Sequence, residues 1–413
     1  MQRIAIIGGG ASGCFAGIQI QELSKSSFDI SIFEKSKEPL SKLRISGGGR
    51  CNVTHNLDDP ELLSLKYPRG QKELRWAFES FQPKDTVEWF RSKGVVLKIE
   101  SDGRMFPITD SSETIIDCFM KEIDKRKINL YLQKGIQSIF LIEQADSSVF
   151  KLTFEDGTDD VFDIVILASG SNRRSWKWME ALGHKIIDPV PSLFTLGIET
   201  SSITSLAGLS MPKASIRISP KGKWQTSPLL ITHWGFSGPA ALRLSAWEAR
   251  ILFEMNYKAD LEINWLGDIN SQILEEIFYE YKINFGSSKI SNKKVPDFPT
   301  RLWEWFLTES QIDKDKKWID LSKNDLRTLA NCICHCKFKM NSKGVFKEEF
   351  VTAGGISRKD INFKTMQSKI IPNLYFTGEV IDVDGITGGF NFQNAWTTAT
   401  LAARDIADKL KIT

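Results

Sequence analysis

Arg3–Gly13 reads RIAIIGGGASG, and the fold turns on it. Ile4–Ile7 is a β-branched, apolar run of the kind that fills a strand buried on both faces. Gly8, Gly10 and Gly13 follow in G-x-G-x-x-G spacing, and Ala11, Cys14, Phe15 and Ile18 continue with helical apolar spacing. In a strand–turn–helix unit the first glycine makes the tight turn. The second lets a pyrophosphate approach the backbone, and the third lets helix and strand pack closely. Ala11 and Ser12 open that helix, whose first N–H groups and dipole favour an anion. A second strand is expected over Asp29–Phe33. Glu34 ends it, at the separation from the glycines where an acid meets an adenosine ribose.

The chain has 413 residues, 41% hydrophobic and 25% charged, enough for two or three globular domains. A net charge of +3 is too small to argue by itself for nucleic acid or an anionic membrane. Six cysteines lack the spacing of a secreted disulfide framework, so a reducing, cytoplasmic setting is expected. No apolar run approaches the ~20 residues that span a bilayer. The apolar N-terminus is read as strand and helix, because GGGASG interrupts any signal-peptide core.

Beyond Glu34 lies SGGGRCNVTH, Ser46–His55. Ser46, Gly47, Gly48 and Gly49 offer a flexible backbone with close N–H donors, and Arg50 adds a fixed charge. Cys51 and Asn52 follow at once. Loops at the C-terminal ends of such strands line the nucleotide crevice, so this one is expected to touch ligand. Gln71–Phe81 and Lys84–Lys93 read as amphipathic helices, Pro83 suiting a helix start. Asn129–Leu132 reads as a strand returning to the parallel sheet. Ile136–Ile142, Val149–Phe154 and Phe162–Leu167 read as an antiparallel meander. Ile164–Gly170, IVILASG, is a buried strand whose end, Ala168, Ser169 and Gly170, permits close approach from a second side.

Pro189 and Pro191 mark a boundary, and Ser192–Ala259 looks β-rich. His233–Trp247 is a loop and then a helix starting at Pro239. Lys282–Lys317 reads as a basic, aromatic helical insertion. Ser322–Cys332 is a helix on which Ser322 and Asp325 form an approximate capping box. Cys332, Cys334 and Cys336 alternate, so on a strand their thiols share one face. C-x-C-x-C spacing splays them, which favours core thiols over a metal site. In the last segment, Gly378–Trp396 reads GEVIDVDGITGGFNFQNAW, and Phe392–Leu410 is expected as a long helix. Glu379, Asp382 and Asp384 stand beside Gly385, Gly388 and Gly389. Carboxylates accept from sugar hydroxyls, and glycines before a helix expose N–H groups to an electron-rich ring edge, a pattern that suits a flavin.

GGGASG at Gly8, KLRISGGGRCNVTH at Lys42, GFSGPAALR at Gly235, VTAGGIS at Val351 and YFTGEVIDVDGITGGFNFQNAW at Tyr375 span nearly the whole chain. On these motifs it resembles the aminoacetone oxidase and BaiN-like family of FAD-dependent oxidoreductases. The resemblance implies an α/β molecule. Residues 1–190 and 346–413 would form a Rossmann-type FAD-binding domain built from both chain ends. Residues 191–262 and 318–345 would form a β-rich domain, with 263–317 as a small helical insertion in it. It implies pyrophosphate at Gly8, Gly10, Ala11, Ser12 and Gly13, and ribose at Glu34 beside Lys35. It places a flavin cradle at Lys42 and Ser46–Asn52, further contacts at Ile136 and Ala168–Gly170, and ribityl or ring contacts at Gly378, Glu379, Asp384, Gly389, Phe390 and Asn391. Two departures stand out. Ala168-Ser169-Gly170-Ser171 replaces the family's A-T-G-G, and SNRRSWKWMEALGH replaces a glycine-rich stretch, so substrate identity does not carry over.

The activity expected is hydride transfer from a small substrate to FAD, reoxidised by oxygen or another acceptor. With a single G-x-G-x-x-G, any NAD(P)H would bind transiently over the flavin. Arg50, Cys51 and His233 are the candidates near the reacting face, Cys51 as a redox thiol or a packing residue, His233 as a proton carrier or a structural hydrogen-bonder. One alternative is an NAD(P)H-dependent reductase of an unsaturated or keto substrate. Another is a flavin-binding or RNA-associated protein without turnover, to which the basic, aromatic stretch around Lys289–Lys294 lends a surface.

Overall fold

The computed structural model describes residues 2–24, 28–143, 148–295, 298–344 and 351–409. It divides into two units, Met1–Pro189 with Val351–Thr413, and Val190–Phe350.

In the first unit, Arg3–Ile7 is an inner strand of a seven-stranded sheet. It pairs in parallel with Asp29–Phe33 on one side and Ile164–Leu167 on the other. Asn129–Tyr131 extends the first flank and Leu374–Phe376 the second, both in parallel. Ile4–Ile7 and Ile164–Leu167 are buried throughout, as strands covered on both faces must be. The sheet thus draws its strands from both ends of the sequence. Helix Ala11–Leu23 packs on the C-terminal helix Phe390–Lys409. Phe15 anchors the contact, its ring 4.7 Å from Trp89 and 5.2 Å from Trp396.

The meander is Ile136–Glu143, Ser148–Phe154 and Asp159–Phe162. The strand expected over Phe162–Leu167 is therefore two. Asp163 divides it: its carboxylate accepts from Arg3 N–H at 2.7 Å, and its own N–H donates to Arg3 O at 3.0 Å. Ile164–Leu167 leaves the meander there and joins the parallel sheet. Ser46–Gly49, expected as an open loop, is the distorted end of a helix over Ser41–Gly49, with Gly47 and Gly48 left-handed.

The second unit holds a closed six-stranded barrel. Its order is Leu196–Ile198, Gly235–Ser237, Gln225–Thr232, Ser210–Ile218, Ala259–Asn264 and Cys336–Lys343. Helices Ser271–Asn284, Thr300–Glu309 and Lys323–Cys334 share one continuous core with it, in which Phe236 and Trp265 meet Phe278, Trp303, Phe306 and Trp318. Ser322 and Asp325 form the capping box. The three alternating cysteines are not on one strand. Cys332 and Cys334 end a helix and Cys336 starts a strand, because Cys334 packs into the core and its thiol donates to Ile269 O at 3.4 Å. Among the described residues no group of His, Cys, Asp or Glu is arranged to hold a metal, and no helix is long and apolar enough to cross a membrane.

Candidate flavin site

The glycine turn follows from what cannot fit beside it. Gly8 has φ +115°, and a Cβ there would lie 2.5 Å from Ala168 O. At Gly13 a Cβ would overlap Gly8 O, so this residue sets how closely helix and strand approach. Gly10 is different: nothing lies within 4 Å of the Cβ position. The helix it opens has no side-chain cap and no acid in its first turn. An open glycine at an uncapped helix start is a fit for a phosphate group. Glu34 closes the other side of the turn. Its carboxylate accepts from Gly9 N–H at 2.9 Å and from Ser36 N–H at 2.8 Å. Lys35 beside it is exposed, and Ile136 is buried at the root of the meander.

Gly48 and Gly49 are left-handed, again with nothing within 4 Å of a Cβ. This second open backbone surface lies against the start of the C-terminal helix. Asn52 Nδ2 donates to Thr54 O at 3.0 Å while its Oδ1 accepts from Gly389 N–H at 2.9 Å. Trp396 Nε1 donates to Val53 O at 2.9 Å, and Thr54 Oγ1 to Gln393 Oε1 at 2.6 Å. Asn391 clips the preceding turn, accepting from Gly385 N–H at 2.8 Å and donating to Gly385 O at 2.9 Å. Tyr67 Oη donates to the Phe390 carbonyl at 2.6 Å. Ser12 touches Gly378, which has φ +72°, so the first and last motifs meet. Two buried polar atoms here, Thr377 Oγ1 and Asn394 Oδ1, have no hydrogen-bond partner among the described residues. Open glycines, an uncapped helix and orphaned oxygens together fit a bound dinucleotide.

Lys42 reaches across to Glu379 Oε2 at 2.7 Å, and Glu379 Oε1 accepts from Thr352 N–H at 3.0 Å. Gly170 lies beside the same carboxylate, and Ser169 Oγ is bonded to Ser175 Oγ at 2.6 Å. Asp384 differs from the sequence expectation. It is fully buried and both its oxygens are held by Arg69, so its carboxylate faces a guanidinium rather than an open crevice. Nothing in local sequence marks Arg69, which lies far from Asp384 along the chain. His55, at the end of the SGGGRCNVTH motif, was also passed over. Its Nδ1 donates to Gly388 O at 3.0 Å and its ring stacks on Phe390 at 4.6 Å.

Of the three candidates for the reacting face, Arg50 and Cys51 belong to the first unit and His233 to the second. Arg50 turns to the ribbon Leu97–Ile99 and Arg104–Pro107, bonded to Glu100 at 2.6 Å and lying 4.1 Å over the Phe106 ring. The Glu100 hydrogen bond raises its pKa. His233 is exposed on a barrel turn of the other unit. Cys51 is fully buried with φ +59°, and burial pushes its thiol up to about 12. A redox role needs an accessible thiolate, which Cys51 as buried here does not offer. It should resist iodoacetamide in the native protein at pH 8 and react on unfolding, as mass spectrometry would read. Burial likewise raises Cys14 and Cys118 to about 12. Folded pKa values above the unfolded one mean the unfolded chain loses these protons first as pH rises. Stability should therefore hold below about pH 9 and fall above it, by up to roughly 1.4 kcal/mol per pH unit per thiol in urea titrations.

The HI0933-like protein Rossmann domain model matches residues 2–405. The chain belongs to this family. It is an FAD-dependent oxidoreductase. A ribosomal RNA dihydrouridine synthase of Haemophilus influenzae is 28% identical over 412 residues, covering 97% of this chain and 98% of that one. A 3-dehydro-bile acid delta(4,6)-reductase of Clostridium scindens is 25% identical over 419 residues, covering 99% and 100%. The fold is shared with a 3-ketosteroid delta1-dehydrogenase from Sterolibacterium denitrificans, at 12% identity and a TM-score of 0.53 over 99% of this chain and 100% of that one. Within the HI0933-like chain, Glu34→Ala removes the acid that would accept from the adenosine ribose as well as from Gly9 N–H. Charge-assisted bonds of this kind are worth about 1.5–3 kcal/mol, so FAD retention should fall roughly 10- to 100-fold. Cys332→Ala, in the second unit's core, should leave flavin absorbance after dialysis unchanged.

Proposed function

We propose that this oxidoreductase saturates a carbon–carbon double bond conjugated to a carbonyl, with the uracil ring of RNA as its preferred substrate. Agreement in bond type carries the reading. Dihydrouridine is uridine reduced across a bond conjugated to a ring carbonyl, and the delta(4,6) bonds of a 3-dehydro bile acid are conjugated to a ketone; both names belong to relatives aligned over nearly the whole chain. A second such synthase, from Escherichia coli, is 27% identical over 97% of the chain.

FAD, when bound, would supply the redox chemistry: a hydride from a reduced nicotinamide would pass by way of the flavin to the carbon β to the carbonyl, and a proton from solvent would complete the bond at the α carbon. The chain supplies binding and orientation. Gly8–Gly13 and Glu34 hold the pyrophosphate and adenosine end. Lys42, the backbone of Ser46–Gly49, Asn52, Gly378, Glu379 and Gly389–Asn391 would cradle the other end, the start of the C-terminal helix favouring negative charge on the ring edge. A protonated, buried Cys51 adds no thiol relay.

Anaerobic stopped-flow mixing tests the reading. NADH or NADPH should bleach the yellow protein. Uridine-containing RNA should then restore the colour and gain two hydrogens per modified uridine by mass spectrometry. Recovery with a 3-keto-4-ene steroid and not with RNA would favour the steroid-type enone instead. Bleaching by an amine and not by reduced nicotinamide would return the protein to the oxidases.

A further inference from the structure

The outer face of the barrel carries a cationic, aromatic surface outside the flavin site. Along Cys336–Lys343, residues Cys336, Phe338 and Met340 are buried, so Lys337 and Lys339 project outward and are exposed. Register sets Lys337 beside Glu262 and Glu262 beside Arg217. Glu262 is 4% exposed and accepts from Arg217 Nε at 2.9 Å, Arg217 Nη2 at 2.6 Å and His335 Nδ1 at 2.8 Å. The guanidinium fixed in this way lies over the ring of Trp224, 4.4 Å from its centroid. Trp224 is 38% exposed and ends the turn that joins Ser210–Ile218 to Gln225–Thr232, where Lys221 and Lys223 are also exposed.

This arrangement is more than a solvated hairpin. A buried carboxylate and a guanidinium preorganise a large aromatic ring that still meets solvent. Glu262 is spent on that task, and Asp260, paired in register with Lys339, is the remaining acid on these central strands. Lys337 and Lys339, two residues apart on one face, stand about 6.8 Å apart along the strand, comparable with successive phosphates of an extended single strand. The run that the sequence suggested for this purpose does not present such a face. Lys289 pairs with Asp315 at 2.8 Å, Lys293 lies 4.0 Å over Phe285, and Lys294 Nζ donates to Phe298 O.

We propose that this barrel face docks single-stranded RNA, with phosphates on Lys221, Lys223, Lys337 and Lys339 and an unpaired base stacked on Trp224. The proposal rests on the RNA reading of the reaction and adds where the strand is gripped. Base–aromatic stacking accounts for an exposed tryptophan on a cation; an acidic protein would need the lysines alone.

The test uses the FAD-loaded protein and fluorescein-labelled dodecauridine, read by anisotropy at low and moderate salt. Lys337→Glu with Lys339→Glu should weaken binding at least ~10-fold at low salt and lower the slope of log affinity against log salt by about 1.4, roughly 0.7 for each charge contact. Trp224→Ala should weaken it roughly 5- to 150-fold with the slope unchanged, and Trp224→Phe should recover most of it. Bleaching by reduced nicotinamide should match the parent in all variants. If the parent binds RNA and forms dihydrouridine while every variant binds equally well, the docking face is wrong and the reaction stands. If the parent binds no RNA at low salt and forms no dihydrouridine, both fall. Loss on charge reversal with Trp224→Ala silent would overturn the base stacked on Trp224, and charge reversal without effect on either binding or its salt slope would overturn the phosphate contacts on Lys337 and Lys339.

Discussion

Gly10→Ala should yield a folded protein, as stable without cofactor as the parent, that has lost FAD. Gly10 has an ordinary φ of −85° and no atom within 4 Å of the added methyl, so the chain itself has no reason to object. The methyl would stand where the pyrophosphate must approach the helix start. Losing about 2–3 kcal/mol of charge-assisted contact there weakens FAD roughly 30- to 150-fold. Gly13→Ala should fail in another way. Its methyl would overlap Gly8 O, a backbone atom that cannot rotate aside, and the helix must lift from the sheet. Overpacking of this kind costs about 1–3 kcal/mol or more in stability, in addition to the cofactor. Calorimetry of the apoproteins and flavin titration separate the two. Full FAD affinity in Gly10→Ala would place the pyrophosphate elsewhere.

Arg69→Ala should be the most damaging single substitution outside the glycine turns. Asp384 is fully exposed to protein and not to water, and Arg69 holds both its oxygens. Removing one partner of a buried pair leaves a charge with no compensation, typically about 3–5 kcal/mol. For a unit of this size that is roughly 10 °C in thermal midpoint. The pair also fixes the turn that Asn391 clips and that leads to the C-terminal helix, so flavin affinity should fall with it. Arg69→Met combined with Asp384→Leu removes both charges and should regain most of the stability. A melting curve for Arg69→Ala within a degree of the parent would show the pair to be dispensable.

Much of this architecture is legible in local sequence. Ile4–Ile7, the three spaced glycines and Glu34 each state a backbone requirement that one residue type meets, and the parallel sheet follows from them. What escaped reading is long-range. Asp163 cuts a strand in two because its partner is Arg3, far away along the chain. Arg69 and Asp384 are unrelated in sequence and bidentate in space. Arg50 beside three glycines reads as a ligand contact, but Glu100 and Phe106 claim it. Cys51 reads equally as a redox thiol or a packing residue until its burial is known. Motif reading thus finds the backbone cradles, and fails for side chains whose partners come from other elements.

The parallel sheet is completed by Leu374–Phe376, and the helix that packs on Ala11–Leu23 is Phe390–Lys409. A ribosome releases both after the entire barrel segment has emerged. The nascent N-terminal half must therefore wait, with one edge of its sheet unpaired and the partner of its first helix missing, while the barrel, whose strands all lie within Val190–Phe350, is free to close first. On this order of synthesis the flavin would be captured last, and a chain interrupted before residue 374 would be expected to carry a finished barrel and no colour.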